Sequence, residues 1–194
     1  VAIDNPLAVY VLQHPDETDH ARGSAIIAQL CLQHYECWVG EDFSRHAGLQ
    51  QLIMQHRDTT MLVYPSQHAW LLAETDVTEQ TLPFIPDRLI FIDASWRKAK
   101  KICHATPLLQ TLACIKLAPA QGSRYRIRKV PGEGYLSTIE AIAHSLAWLE
   151  NDRKKYQPLR NIFDEMIERQ ITKMGQQTYL QNYVSPDANE TDEH

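Results

Sequence analysis

Short apolar runs recur along this chain, and most are followed by a stretch with helical spacing. Residues 7–12 alternate and are rich in strand formers, which predicts a first strand ending at the polar loop Gln13-His14-Pro15-Asp16-Glu17. Ala25, Ile26, Leu30 and Leu32 follow helical spacing, with Asp19 or Thr18 available as cap. Residues 37–39 form a second short strand, closed by Gly40-Glu41-Asp42. A helix over about 46–56 carries Leu49, Leu52 and Ile53 inward. Residues 61–64, 89–92 and 115–117 read as further strands, and 95–105 as a helix between the last two.

Strands that are short, continuous and apolar, each followed by a helix, predict an α/β fold with a mostly parallel sheet and helices on both faces. Ligands of such domains bind beyond the carboxyl ends of the strands. Here those ends are His14-Pro15, Gly40-Glu41, Tyr64-Pro65-Ser66 and Asp93-Ala94-Ser95. The last third is a helical flank. Ser137-Thr138-Ile139-Glu140 reads as a capping box, followed by an apolar face of Ile139, Ile142, Ala143, Leu146 and Leu149. A second helix over about 159–174 turns Ile162, Phe163, Met166, Ile167 and Ile171 inward.

At 194 residues with 44% hydrophobic content, the chain suits one domain over 1–184, with an acidic tail over 185–194 expected to be disordered. No apolar run approaches the roughly 18 residues that would span a bilayer, so no membrane partner is expected. The N-terminal residues lack a basic start and a signal-peptide core. The four cysteines form no Cys-x-x-Cys pair, and Cys31 and Cys103 fall on apolar helix faces. Free thiols in a cytoplasmic protein are the expectation. The nine histidines are scattered without a zinc spacing, so no metal is expected.

Charge changes the picture. From Ala94 to Gly132 there is no Asp or Glu, but nine Lys or Arg. The rest of the chain holds ten basic residues against 24 acidic ones. Such segregation points to a polyanionic partner. One cluster, Arg97-Lys98-Ala99-Lys100-Lys101, follows Asp93-Ala94-Ser95-Trp96. The other alternates, Arg124-Tyr125-Arg126-Ile127-Arg128-Lys129, and reads as a strand with three arginines on one face. Phosphates suit that face, because the guanidinium fork binds two oxygens at once. Nucleic acid is the first reading, and a small phosphorylated ligand is its rival. Asp93 either caps the following helix or does chemistry, and Ser95 could cap in its place. Trp96 belongs either to the core, with Ala99, Ile102 and Cys103, or to a base-stacking platform. Pro131-Gly132-Glu133-Gly134-Tyr135-Leu136 leads into the helix capped at Ser137, whose N-terminus suits an anion. Neither a Rossmann glycine pattern, a P-loop nor a nucleophile elbow is present.

Together these blocks resemble the DTW-domain family. The matching residues are His14-Pro15-Asp16-Glu17, Leu62-Val63-Tyr64-Pro65-Ser66, the signature Asp93-Ala94-Ser95-Trp96 with its basic turn, and Arg128 through Tyr135-Leu136-Ser137-Thr138-Ile139-Glu140-Ala141. Ser95 stands where the family usually has Thr, which keeps the hydroxyl. Ala21-Arg22-Gly23-Ser24 fits the family's Asn-Thr-Gly-like segment only loosely, and the N-terminal Cys cluster of many members is not in this sequence.

The resemblance implies a tRNA-uridine aminocarboxypropyltransferase. It would transfer the 3-amino-3-carboxypropyl group of S-adenosylmethionine to N3 of a tRNA uridine and release 5′-methylthioadenosine. It also implies a SPOUT-like α/β-knot, and since SPOUT relatives often pair, a homodimer is an open expectation. Asp93 is then the candidate general base, at the rim of the cationic trough rather than in the interior. Tyr64, Pro65, Ser66, Ser95, Trp96, Tyr135, Leu136, Ser137 and Thr138 would bind the cofactor, its carboxylate at the helix start. Arg97, Lys98, Lys101, Arg124, Arg126, Arg128 and Lys129 would hold RNA phosphates. The alternatives are a SPOUT-like RNA methyltransferase and an RNA-binding module without catalysis.

Overall fold

The structure is a computed structural model that describes residues 2–18, 24–73, 82–118 and 136–179. Among these, six strands form one sheet in which every pair is parallel. They are β1 (Ala8–Gln13), β2 (Tyr35–Val39), β3 (Thr60–Val63), β4 (Trp70–Ala73), β5 (Arg88–Asp93) and β6 (Ala113–Ala118). Their order across the sheet is β2-β1-β5-β3-β6-β4. The helices are α1 (Pro15–Thr18), α2 (Ala25–Cys31), α3 (Ala47–His56), α4 (Trp96–Ala105), α5 (Thr138–Leu149), α6 (Arg153–Met174) and α7 (Gln176–Tyr179).

Alternation along the strands divides the core in two. Val9, Val11, Met61, Leu89, Phe91 and Ile115 pack on one face against α2, α5 and α6. Leu12, Leu62 and Ile90 pack on the other against α3 and α4, through Leu49, Leu52, Ile53 and Ile102. Side chains on a strand point alternately to either face, so a buried strand must be apolar on both. The mostly parallel sheet with helices on both faces, expected from the pattern, is the observed fold.

Several local expectations are corrected. Pro15 does not stop the chain in a loop but opens α1, because the first helical position needs no N–H. Ser24 occupies the N-cap position of α2 in place of Thr18, and Asp19 lies outside the described residues. The buried stripe of α2 is Ala25, Ile27, Ala28 and Cys31, whereas Ile26 and Leu30 are 49% and 75% exposed. β4 was not anticipated. The last long helix begins at Arg153, where the Asp152 side chain accepts a hydrogen bond from Lys155 N, and Pro158 lies inside it. The knot would depend on the connection between β6 and α5, residues 119–135, which lie outside the described residues. So do the tail 185–194 and the expected arginine strand.

Candidate functional site

After β1 the chain crosses to β2 on one side, and after β5 it crosses to β6 on the other. The two strands are neighbours, so their carboxyl ends flank a topological switch point, where open α/β sheets place ligands. Register puts Gln13 opposite Asp93 there. Both continue the columns Val9-Val11-Gln13 and Leu89-Phe91-Asp93, whose apolar members pack on the α5 side. A polar pair thus ends an apolar face.

Asp93 is 3% exposed. Gln13 Nε2 donates to its Oδ2 at 2.9 Å, and Thr138 Oγ1 donates to its Oδ1 at 2.6 Å. Thr138 is the first residue of α5, so the bond ties that helix to the end of β5. The Gln13 amide reaches the other way too, with Cys37 Sγ 3.9 Å from its Oε1. Burial pushes the Cys37 thiol up, and nearby Asp93 adds to this. Burial also pushes the Tyr35 phenol up, with Cys37 and Asp93 contributing. Both groups stay protonated at neutral pH.

Asp93 is therefore enclosed at the strand end, in place of the open rim position expected from the sequence. A carboxylate this deep is stable only when hydrogen-bonded, and Gln13 and Thr138 meet that need. It does not cap α4. Ser95 takes the N-cap position there, without a side-chain cap bond. Asp93 also faces α5, whereas α4 covers the opposite face, so the carboxylate and the α4 cations share only the edge of the sheet.

The capping box at Ser137 forms as its sequence requires. Ser137 N donates to Glu140 Oε2 at 2.8 Å, and the Ser137 hydroxyl accepts from Glu140 N. Ile139 N points at Ser24 Oγ, 3.5 Å away. The helix start already holds its own carboxylate, which argues against a cofactor carboxylate at these amides.

Of the other expected cofactor residues, Tyr64 and Ser66 follow β3, the strand next to β5. Tyr64 packs with the α4-side core, and Pro65 is exposed. Burial pushes the Tyr64 phenol up, with Cys103 and Cys114 adding to this, and burial pushes the Cys114 thiol up against the opposing effect of Ser66. Burial pushes Cys103 up to about 11, helped by Cys114 and opposed by Tyr64. Leu136, Thr138, Ser95 and Trp96 are half-buried, and Ala99 and Ile102 form the buried face of α4. Tyr135, Arg124, Arg126, Arg128 and Lys129 lie outside the described residues. Arg97, Lys100 and Lys101 are exposed on α4. Lys98 pairs with Asp16, and Lys101 with Glu41 at 2.7 Å, so part of the cationic face is matched from within.

Sequence reading missed Gln13 as a site residue. The available signal was a polar residue on the Val9-Val11 column. Among the described residues, no group of three His, Cys, Asp or Glu could hold a metal, and no helix is long and apolar enough to cross a membrane.

A parallel α/β domain with a buried carboxylate and a helix start meeting at its switch point defines the class. The chain belongs to the DTW domain family, whose model matches residues 2–171. It is 36% identical over 148 residues to the Drosophila melanogaster protein named tRNA-uridine aminocarboxypropyltransferase 2, covering 74% of this chain and 56% of that one. The proteins of that name from Macaca fascicularis and Mus musculus are each 29% identical over 146 residues, covering 74% of this chain and 48% of theirs. The chain thus spans about half the length of these curated relatives. No solved structure matches it.

Proposed function

We propose that this chain transfers the 3-amino-3-carboxypropyl group of S-adenosylmethionine to N3 of a uridine in tRNA, with 5′-methylthioadenosine as by-product. The observation that carries the reading is its likeness to relatives named for aminocarboxypropyl transfer to tRNA uridine. The acid–base group that the reaction needs is read onto the Thr138–Asp93 pair. S-adenosylmethionine would supply a carbon made electrophilic by the adjoining sulfonium. The protein's part is to take the proton from N3 and hold the uracil in line with that carbon.

We assign the proton transfer to Thr138 and Asp93 acting together. Thr138 Oγ1 takes the N3 proton as it passes its own to Asp93 Oδ1, 2.6 Å away. Gln13 donates to Oδ2, and Oδ1 is the oxygen that Thr138 faces. N3 would lose its proton and bond the donor carbon as that carbon's bond to sulfur breaks, methylthioadenosine would leave with the sulfur's electron pair, and Asp93 would end protonated. This relay lets a buried carboxylate serve a substrate that it does not touch.

The residues beside the switch point fit the donor's chemistry. Tyr64 offers a half-buried ring and Ser66 a hydroxyl, one strand from Asp93, and Leu136 adds an apolar side chain. Arg97, Lys98 and Lys101, with Arg124, Arg126, Arg128 and Lys129, would hold tRNA phosphates.

The test is mass spectrometry of tRNA incubated with the protein and labelled S-adenosylmethionine. A uridine bearing the aminocarboxypropyl group, with methylthioadenosine released, is the expected result. A methylated base with S-adenosylhomocysteine would instead identify an RNA methyltransferase. Bound but unmodified tRNA would identify a module without catalysis.

A further inference from the structure

Where β1 and β2 end, α1 and the turn after β2 carry acid, and α4 carries base. Asp16 lies in α1, directly after β1, and Glu41 lies two residues beyond β2. Lys98 of α4 pairs with Asp16 Oδ2, and Lys101 pairs with Glu41 Oε2 at 2.7 Å. The Glu41 carboxyl is held below its ordinary range, first by the hydrogen bond from Lys101 and then by that residue's charge.

His14 stands between the two acids and is 4% exposed. Its Nδ1 accepts from Asp16 N at 3.1 Å and lies 3.9 Å from Asp16 Oδ2. Its Nε2 lies 3.5 Å from Glu41 Oε1. A ring that accepts at Nδ1 carries its neutral-form proton on Nε2, facing Glu41. The buried imidazole thus holds the Asp16 backbone through Nδ1 and turns its Nε2 toward the Glu41 carboxylate. Its backbone N–H donates to Asp93 O at 2.9 Å, which joins the network to the switch point.

The Asp16 and Glu41 side chains are 61% and 48% exposed. Ion pairs in water of this kind are weak, worth roughly a factor of five or less in an equilibrium constant. A phosphate oxygen makes the same kind of bond to an ammonium as a carboxylate oxygen does. The network therefore presents two lysines already aimed outward at acceptors that can be exchanged.

We propose that Asp16 and Glu41 are internal competitors for RNA phosphates at Lys98 and Lys101. They hold the lysines in place in the free protein and give way only to a backbone that reaches both. The proposal rests on the RNA substrate argued above and adds to it a pair of residues that restrain binding. It has a consequence for salt. Each displaced carboxylate takes up a counterion, which offsets one released from the RNA, so the native protein shows a shallower salt dependence than its phosphate contacts alone would give.

The experiment measures binding of unfractionated tRNA across a salt series, using the full chain. The variants are Asp16→Asn/Glu41→Gln, Lys98→Gln/Lys101→Gln, and all four changes together, with thermal melts to confirm folding. The Asn/Gln variant is expected to bind about three- to tenfold more tightly at low salt, with a steeper salt slope. In the presence of the two Lys→Gln changes, that gain is expected to vanish. A gain that persists without the lysines would reduce the effect to net charge and overturn the proposal. An unchanged affinity in the Asn/Gln variant would overturn it while leaving the RNA substrate standing. Failure of the wild-type chain to bind tRNA would overturn both.

Discussion

At the scale of single residues, the site turns on one hydrogen bond, Thr138 Oγ1 to Asp93 Oδ1. If Thr138 relays the proton, its hydroxyl is indispensable and its methyl is not. Thr138→Val is expected to lower the transfer rate by about 100- to 10,000-fold, while Thr138→Ser keeps most of it. Rates of label transfer to tRNA decide this, and equal rates in the two variants would remove the relay. Asp93→Ala is expected to abolish transfer and to leave tRNA binding nearly intact. It also leaves the Gln13 amide and the Thr138 hydroxyl without their acceptor, at about 1–3 kcal/mol of stability, which a denaturant titration reads. Cys103 offers a separate test by pH. Its folded value of about 11 lies above the ordinary 9.0, so the folded state binds the extra proton between those values. Stability is then full below about pH 9 and falls as pH rises toward 11. Cys103→Val removes that part of the fall, visible as a flatter melting profile over the same window.

At the scale of elements, legibility followed local chemistry. The capping box at Ser137 was readable because both its partners lie within four residues. The faces of α3 and α5 were readable because Leu49, Leu52 and Ile53, like Ile139, Ile142 and Leu146, repeat with the helical period. β4 was not, since Trp70-Leu71-Leu72-Ala73 has no alternation and only its pairing with β6 makes it a strand. The face of α2 was misread for a related reason. Ile26 and Leu30 have the spacing of an inward stripe, yet the small residues Ala25 and Ala28 are the ones that let the helix approach the sheet. Pro158 hid the start of α6, although Asp152 was a visible cap. The Gln13–Asp93 contact came from register, which no local pattern reports. The capping box also carries a prediction. Ser137→Ala removes the acceptor for Glu140 N and is expected to cost about 1 kcal/mol, seen as a lower Tm. Because Thr138 is the next residue, the same variant is expected to lose activity beyond its loss of stability. Activity that merely tracks the folded fraction would show the cap to be structural alone.

For the whole molecule, the distribution of charge has to be reconciled with the position of the carboxylate. The cationic window from Ala94 to Gly132 was visible in the sequence, but its internal matching was not, because Asp16 and Glu41 come from segments far away in the chain. α4 covers one face of the sheet and Asp93 looks to the other, so a substrate that reaches both must lie across the carboxyl edge. An RNA held there gains from phosphate contacts beyond α4, since two of its lysines must first give up their carboxylate partners. The arginines at 124, 126 and 128 are the remaining concentration of positive charge in that window, and they precede the helix that carries Thr138. Arg126→Ala with Arg128→Ala is therefore expected to weaken tRNA binding and to flatten its logarithmic salt slope by roughly 1.4 to 1.8, at about 0.7–0.9 for each phosphate no longer neutralised. The rate of transfer from saturated complex should change far less than affinity, because neither arginine is assigned to the proton. An unchanged slope would place the RNA backbone elsewhere. A lower rate at full saturation would bring those arginines into the chemistry itself.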